Sequence, residues 1–330
     1  MMKSLKSLKR TTGAALLSAM LTVTLVATFA AAALWQQWRS VEVEIAERGR
    51  VQVAWLLIGA LDWSRIILRI DGRAGTTDHL AEPWAVALQE SRLSSFLAAD
   101  KDNTGGLTAE EQVDAFLSGG MVDAQSKLNV FNLINAGQVS APDAAAFKRL
   151  FELQNLPIQE LENFIGQLKD ALQANAPATA PLMPQRVRQL TWLGLKPQTL
   201  GKLLPYITLL PERTAVNINT AAAEVIFASV PALELADAKK VVSAREGAHF
   251  DDLAKAAAAV SALSGKLQEA QHSVSSRFFE VSGRIRLEQT VVEEQSLVQR
   301  DTQSNVKTVW RERAVVAASE ISANTSIAKP

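Results

Sequence analysis

The chain has 330 residues, with 34 Lys and Arg against 34 Asp and Glu, so its formal charge is zero and it carries no bulk attraction to nucleic acid. Apolar residues make up 48% and charged residues 21%, which is enough to bury a core and excludes wholesale disorder, and the length suggests about two domains. Cysteine is absent and histidine is limited to His79, His249 and His272, so disulfide frameworks, zinc ribbons, iron–sulfur ligation and thiol catalysis are excluded and a Ser-His-Asp triad has little material; composition disfavours an enzyme.

Lys3, Lys6, Lys9 and Arg10 open the chain with no acid among them, and Thr11 to Trp38 carries no charge at all. A bilayer core of about 30 Å needs about 20 apolar residues in a helix, and Gly13 to Trp35 supplies them. The leading basic cluster orients the N-terminus to the cytoplasm, with the remainder outside. A cleaved secretory signal with a small-residue site at Ala30 to Ala33, and a buried helix of a soluble protein, are the competing readings. Beyond the apolar stretch, Leu34, Trp38, Val41, Ile45, Val51, Trp55 and Ile58 recur every three or four residues, which predicts one continuous helix of about 50 residues.

The basic leader, Gly13, and Ala14-Ala15-Leu16-Leu17 with the long apolar helix resemble a type IV prepilin signal. The resemblance implies cleavage by a prepilin peptidase between Gly13 and Ala14. Relatives with this signal usually carry glutamate at the fifth mature position, where this chain has Ser18. A carboxylate there costs about 2.5 to 3.5 kcal/mol on insertion scales unless a neighbour neutralises it. A neutral Ser18 therefore fits a subunit with no neighbour above it. Ser18, Leu34, Trp38, Val41 and Ile45 are the candidate contacts for partner helices; the alternative for the apolar four is packing on the chain's own sheet.

Trp63 to Ile70 is a β-prone run closed by Asp71-Gly72, either a strand or a helix end, and Leu88 to Ala98 reads as a short helix. Asp100 to Glu111 resembles an EF-hand loop. Calcium takes roughly six to eight oxygens, and the loop's ligand places fall on Asp100, Asp102, Thr104, the Gly106 carbonyl, Thr108 and Glu111, with Gly105 at the turn. Thr104 is a weaker ligand than Asp or Asn, and a solvated acidic turn is the other reading. The stretch from Phe116 to Leu133 reads as a Gly-led strand with Asn132 placed to cap a helix, and Thr214 to Ala221 repeats the device. Each is followed by a helical stretch and a step at Pro157 or Pro231, which predicts two small helical modules joined by the proline-rich Ala174–Pro184.

The second module resembles helix-hairpin-helix repeats that hold DNA phosphates, but its hairpin, Val230-Pro231-Ala232-Leu233-Glu234, lacks the glycine pair and places an acid where phosphate would sit. Asn217, Asn219 and Thr220 then read as structural caps, and Lys239, Lys240 and Arg245 as a solvated helix face. After an Ala-rich segment, alternation returns over Phe279 to Leu287, and Val306 to Val316 is a further candidate strand.

The start without an acidic fifth residue, the Gly120, Asp123 and Gln125 motif leading to Asn129 and Asn132, and the Leu-Pro block before Asn217-Ile218-Asn219-Thr220-Ala221 together resemble the general secretion pathway protein K family, large minor pseudopilins of type II secretion. Two places depart from its pattern: Leu128 stands for an aromatic and Ser126 for a glycine. The resemblance implies an α+β, pilin-like fold: a long N-terminal helix on an antiparallel sheet, with an inserted all-α domain of two helix-hairpin-helix-like modules. The implied organisation is a leader over 1–13, the helix over 14–65, pilin-like parts over 66–131 and 271–330, and the insertion over 132–270, with modules at about 132–176 and 185–270.

The implied role is non-enzymatic: to cap the periplasmic pseudopilus and help initiate it with minor pseudopilins of the I, J and H types. It also implies contact with the inner-membrane secretion platform, single-pass residence in the bacterial inner membrane with the bulk in the periplasm, bound calcium, and neither nucleic acid nor a small-molecule substrate. The rival reading is a membrane-anchored helix-hairpin-helix nucleic-acid binder.

Overall fold

A computed structural model describes residues 12–92, 115–173, 180–287 and 290–317. The chain divides into two compact units, Met1–Leu56 and Leu57–Pro330. Helix α1 (Thr12–Ala74, 63 residues) supplies the described part of the first and opens the second. It contains, among the described residues, the one helical stretch long and apolar enough to cross a membrane. Trp63 to Ile70 is helical, so the β-prone run is the last turns of α1 and not a strand. Its β-branched residues cost a few tenths of a kcal/mol each in a helix, which the burial of Leu57, Leu61 and Leu68 on one face outweighs.

The second unit holds a five-stranded antiparallel sheet in the order β1-β2-β9-β10-β11. Its strands are β1 (Leu88–Arg92), β2 (Ala115–Asp123), β9 (Phe278–Leu287), β10 (Thr290–Arg300) and β11 (Val306–Ala317). The intervening numbers belong to two-residue strands: β3 (Leu128–Asn129) pairs with β6 (Ile207–Thr208), β4 (Ile134–Asn135) with β5 (Gln138–Val139), and β7 (Val216–Asn217) with β8 (His272–Ser273). The alternation over 279–287 and the strand at 306–316 stand where the sequence put them. Leu88–Arg92, expected to open a helix, is instead an edge strand on β2, and the rest of that expected helix, 93–98, lies outside the described residues. The spacing of Leu88 and Arg92 suits one helical face, yet Leu88 opposes Gly119 and Arg92 opposes Phe116 across the sheet.

Leu61 and Leu68 of α1 pack with Trp84, Met121, Phe279, Val281, Val298 and Val306. Gly119 of β2 sits directly opposite Gly283 of β9. A Cβ on Gly283 would stand 3.3 Å from Leu57 Cδ2, and one on Gly119 would collide with the Ser282 carbonyl oxygen. Larger residues at this pair would push the helix or the neighbouring strand aside.

Between β2 and β9 runs a helical insertion, Ala124 to Arg277, within which the expected 132–270 falls. Its helices are α2 (Ala141–Leu153), α3 (Ile158–Ala171), α4 (Pro197–Leu203), α5 (Ala223–Ser229), α6 (Leu235–Gly247) and α7 (Leu253–Ala259). Pro142 and Pro197 sit in first turns, where a missing N–H is harmless, and the Asp252 carboxylate caps α7 by accepting from Lys255 N at 2.7 Å. The two expected modules share one core: Phe147, Leu150 and Phe164 from the first pack in the same cluster as Val225, Ile226 and Val241 from the second. Their repeated asparagine blocks also meet, since Asn132 accepts from Thr214 N and donates to Thr214 O.

Candidate functional site

In the first unit, the apolar side chains Leu16, Leu17, Met20, Leu21 and Phe29 are all exposed, as a lipid-facing segment requires. Its hydroxyls are satisfied within the helix: Ser18 Oγ donates to Ala15 O at 2.9 Å, and Thr22, Thr24 and Thr28 do the same to carbonyls three residues back. Ser18 therefore brings neither charge nor an unmet hydrogen bond. Leu34, Trp38, Val41 and Ile45 are exposed as well. Gly13 opens the same helix, in its first turn.

The second-unit part of α1 has two opposed faces. Leu57, Leu61, Ser64 and Leu68 are buried, whereas Gly59, Trp63, Ile66 and Ile70 recur at the same spacing on the outer side, with Ile66 49% and Ile70 63% exposed. Nothing stands within 4 Å of a Cβ placed on Gly59, so this face has a low point at which a second backbone can approach. The helix is fixed beneath: Arg65 donates through Nε and Nη2 to Val306 O at 3.0 and 2.7 Å, tying it to the start of β11. A rigid helix with an exposed apolar stripe suits another helix of the same kind.

The insertion is held to the sheet by a buried polar junction built on Asp123, the last residue of β2. Asp123 Oδ1 accepts from Gln125 N at 2.7 Å, while Oδ2 accepts from Asn217 Nδ2 at 3.0 Å, Thr220 Oγ1 at 2.5 Å and Ser276 Oγ at 2.6 Å. Burial pushes its carboxyl up to about 6, against the pull of the Ser276, Thr220 and Gln125 bonds. Gln125 extends the junction by donating to Ala215 O at 3.0 Å and accepting from Arg277 N at 2.7 Å. Asn217 Oδ1 accepts from Asn219 N, and Asn219 spans Phe250 with one bond to each backbone group. Asn217, Asn219 and Thr220 are thus structural groups, as their sequence context indicates. Arg245 is not part of a solvated face: it is largely buried, donates from Nη1 to Ile218 O at 2.6 Å, and desolvation draws its pKa down to about 10. Lys240 is exposed and pairs with Asp237 at 2.8 Å.

Arg300, near the end of β10, closes the junction. Its guanidinium reaches Asp71 Oδ2 at 2.9 Å, Asp78 Oδ1 at 2.5 Å, Ser276 O at 3.0 Å and Leu68 O at 3.3 Å, so one side chain joins the end of α1, the following loop and the exit of the insertion. Asp71, Asp78 and Glu82 offer carboxylate oxygens within 4.8 Å of one another, a spacing open to a cation, but two of the three already face Arg300. Burial raises Asp71 and pushes Glu82 up to about 7. The EF-hand-like residues Asp100, Asp102, Thr104, Gly106, Thr108 and Glu111 lie outside the described residues.

Residues 216–275, which carry the Asn217-to-Thr220 block and the helices after it, match the family model described as type II secretion system (T2SS), protein K. The type II secretion system protein K of Pseudomonas aeruginosa is 24% identical over 304 residues, covering 83% of this chain and 84% of that protein. The chain is similar to type II secretion protein K over most of its length. The crystal structure of the GspK-GspI-GspJ complex from enterotoxigenic Escherichia coli matches with a TM-score of 0.64 at 16% identity, covering 82% of this chain and 98% of that one, and so shares the pilin-like fold with its helical insertion. The role implied for protein K, a minor pseudopilin of type II secretion, stands, and the nucleic-acid reading is not favoured.

The protein K motif at Gly120, Asp123 and Gln125 is legible in sequence, but its role is not. Asp123 and Gln125 tie the insertion to the sheet, whereas a methyl added at Gly120 would meet Ala87 Cβ at 3.5 Å in ordinary contact. Sequence reasoning misses Asp78, Ser276 and Arg300 because no local pattern marks them. It also misses the outer stripe at Gly59, Ile66 and Ile70, which the run's β-propensity hides.

Proposed function

We propose that this protein K relative ends the pseudopilus at its tip, joins pseudopilins of the I and J types through the exposed stripe of α1, and helps initiate the fibre. One observation carries the reading: nearly half of the chain is inserted between two adjacent sheet strands at the end of the sheet where α1 terminates, and it is locked there by Asp123 and Arg300. A rigid body at that end obstructs a subunit stacked above, while the outer face of α1 stays open to helices beside it. GspK of Escherichia coli forms a complex with GspI and GspJ, which supports counterparts of those two as the partners.

The same reading places the chain in the bacterial inner membrane by the apolar part of α1, with the folded unit in the periplasm and cleavage by the prepilin peptidase between Gly13 and Ala14. The role is structural and not catalytic. Contacts with an H-type pseudopilin and with the inner-membrane platform belong to the same proposal, as does calcium at Asp100–Glu111, which rests on the sequence pattern alone.

Co-expression with the I- and J-type proteins of the same secretion system tests it. The wild-type chain is expected to co-purify with both from detergent extracts. Ile66→Glu with Ile70→Glu is expected to lose them at unchanged melting temperature, since desolvated apolar anchors are worth roughly 2 kcal/mol or more each at an interface. Co-purification that survives the double substitution would remove the stripe from the proposal.

A further inference from the structure

Two of the chain's three histidines meet face to face across the boundary between the pilin-like fold and the insertion. His79 lies in the loop after α1, and His249 lies in the loop after α6; their ring centroids are 3.8 Å apart and their planes 13° from parallel. The pair walls an open cleft that Leu80, Asn219, Arg245 and Gly247 also line. The α6–α7 loop is pinned at both ends: Arg245 Nη1 donates to Ile218 O, and the Asn219 amide brackets Phe250 with two bonds of 2.9 Å. Between those pins, Glu246 to His249 meets the pilin-like side through the imidazole stack.

We infer that His79 and His249 form a proton-sensitive clasp, which holds this loop of the insertion against the pilin-like fold at neutral pH and releases it on acidification. Two neutral imidazoles stack readily, and two imidazoliums at this separation repel. The charged groups around them offset that repulsion only in part as pH falls. On the His79 side, Asp78 is engaged by Arg300 and by Ser276 N, and Asp71 by Arg300. Glu82 Oε1 lies 3.6 Å from His79 Nε2, but its Oε2 accepts from Trp84 Nε1 and His79 N, and burial pushes its carboxyl up to about 7.

On the loop side, Asp251 Oδ1 lies 3.4 Å from His249 Nε2 while its Oδ2 is bonded to Lys255; Arg245 adds positive charge, and Glu246 borders the cleft. Burial first, and then His249, hold His79 below the usual histidine range, against the opposing pull of Asp78 and Asp251. A histidine lowered in the closed form stabilises closure above its ordinary pKa, near 6.5, and that contribution is lost as pH falls below it.

Hydrogen exchange of the full-length chain in detergent micelles, corrected for intrinsic rates, tests the clasp between pH 7.5 and pH 5.5. Loop amides 246–249 are expected to open more at pH 5.5, by up to about tenfold because that pH lies about one unit below the ordinary histidine value, while the core of α2 stays protected. His249→Phe keeps a stacking ring without a titrating group and is expected to hold the loop closed at both pH values; His249→Asn is expected to leave it open at both. Loop exchange in the wild type that does not change with pH, or a His249→Phe variant that repeats the wild-type change, would overturn the inference.

Discussion

Replacing Asp123 with asparagine tests the junction most closely, because both its size and its pH dependence follow from the geometry. The substituted amide would keep the shape but have one acceptor oxygen where the carboxylate has two, and the two sides of that carboxylate face only donors: Gln125 N on one, and Asn217, Thr220 and Ser276 on the other. With the amide oxygen turned to the three-donor side, its NH2 confronts the Gln125 N–H. One buried donor is then unpaired and the charge-strengthened bonds are lost, at a cost of about 2 to 4 kcal/mol at pH 7. The folded-state carboxyl titrates at about 6 against 3.8 for the ordinary group. A carboxyl raised by folding contributes stability that is complete below the unfolded pKa and is lost as pH rises through the folded one. The wild type should therefore gain about 2 kcal/mol on the variant between pH 7 and pH 4. Urea unfolding of both full-length chains in micelles, followed by tryptophan fluorescence, measures it; Trp84, buried edge-on to Phe279 at 5.1 Å, is the natural reporter. A deficit that is the same at both pH values, or smaller at pH 4, would refute the reasoning.

Arg300→Gln leaves Asp78 buried and without its counter-charge, and is expected to cost about 3 to 5 kcal/mol; a loss below about 1 kcal/mol by the same urea assay would show that the ion pair does not hold the junction. Gly119→Ala forces a methyl against the Ser282 carbonyl and is expected to cost about 2 to 3 kcal/mol, whereas Gly283→Ala meets only the flexible end of Leu57 and should cost about 1 kcal/mol or less. Equal melting temperatures for the two variants would contradict the tighter contact at Gly119. Calcium at millimolar concentration is expected to raise the melting temperature of the wild type but not of an Asp100→Ala, Asp102→Ala chain, and a wild type indifferent to calcium would remove the metal from the account.

What the sequence shows depends on how far apart the partners of a residue lie. The long helix and the alternation over 279–287 are carried by neighbours three, four or two positions away, so their periods are visible along the chain. The helix runs past its expected end because packing of Leu61 and Leu68 on the sheet overrides the β-propensity of Ile66, Ile67 and Ile70. Leu88–Arg92 reads as helix for the same reason in reverse: its pairing with β2 is tertiary, and nothing in five residues announces it. The asparagine cap at 217 is legible because its bonds begin locally, two residues on, whereas Asn219 reaches Phe250, 31 residues away. Arg300 and Asp78, 222 positions apart, and the two stacked histidines come together only when the insertion closes on the sheet. Arg245 resembles its solvated neighbours because one turn of helix does not reveal which side faces a distant carbonyl.

The most direct test is to place an electron-dense label on the insertion, for example at exposed Lys239, and image pseudopili assembled with the labelled chain. One label at a single end of each fibre is the predicted result. Labels repeated along the shaft would contradict a subunit that terminates the fibre.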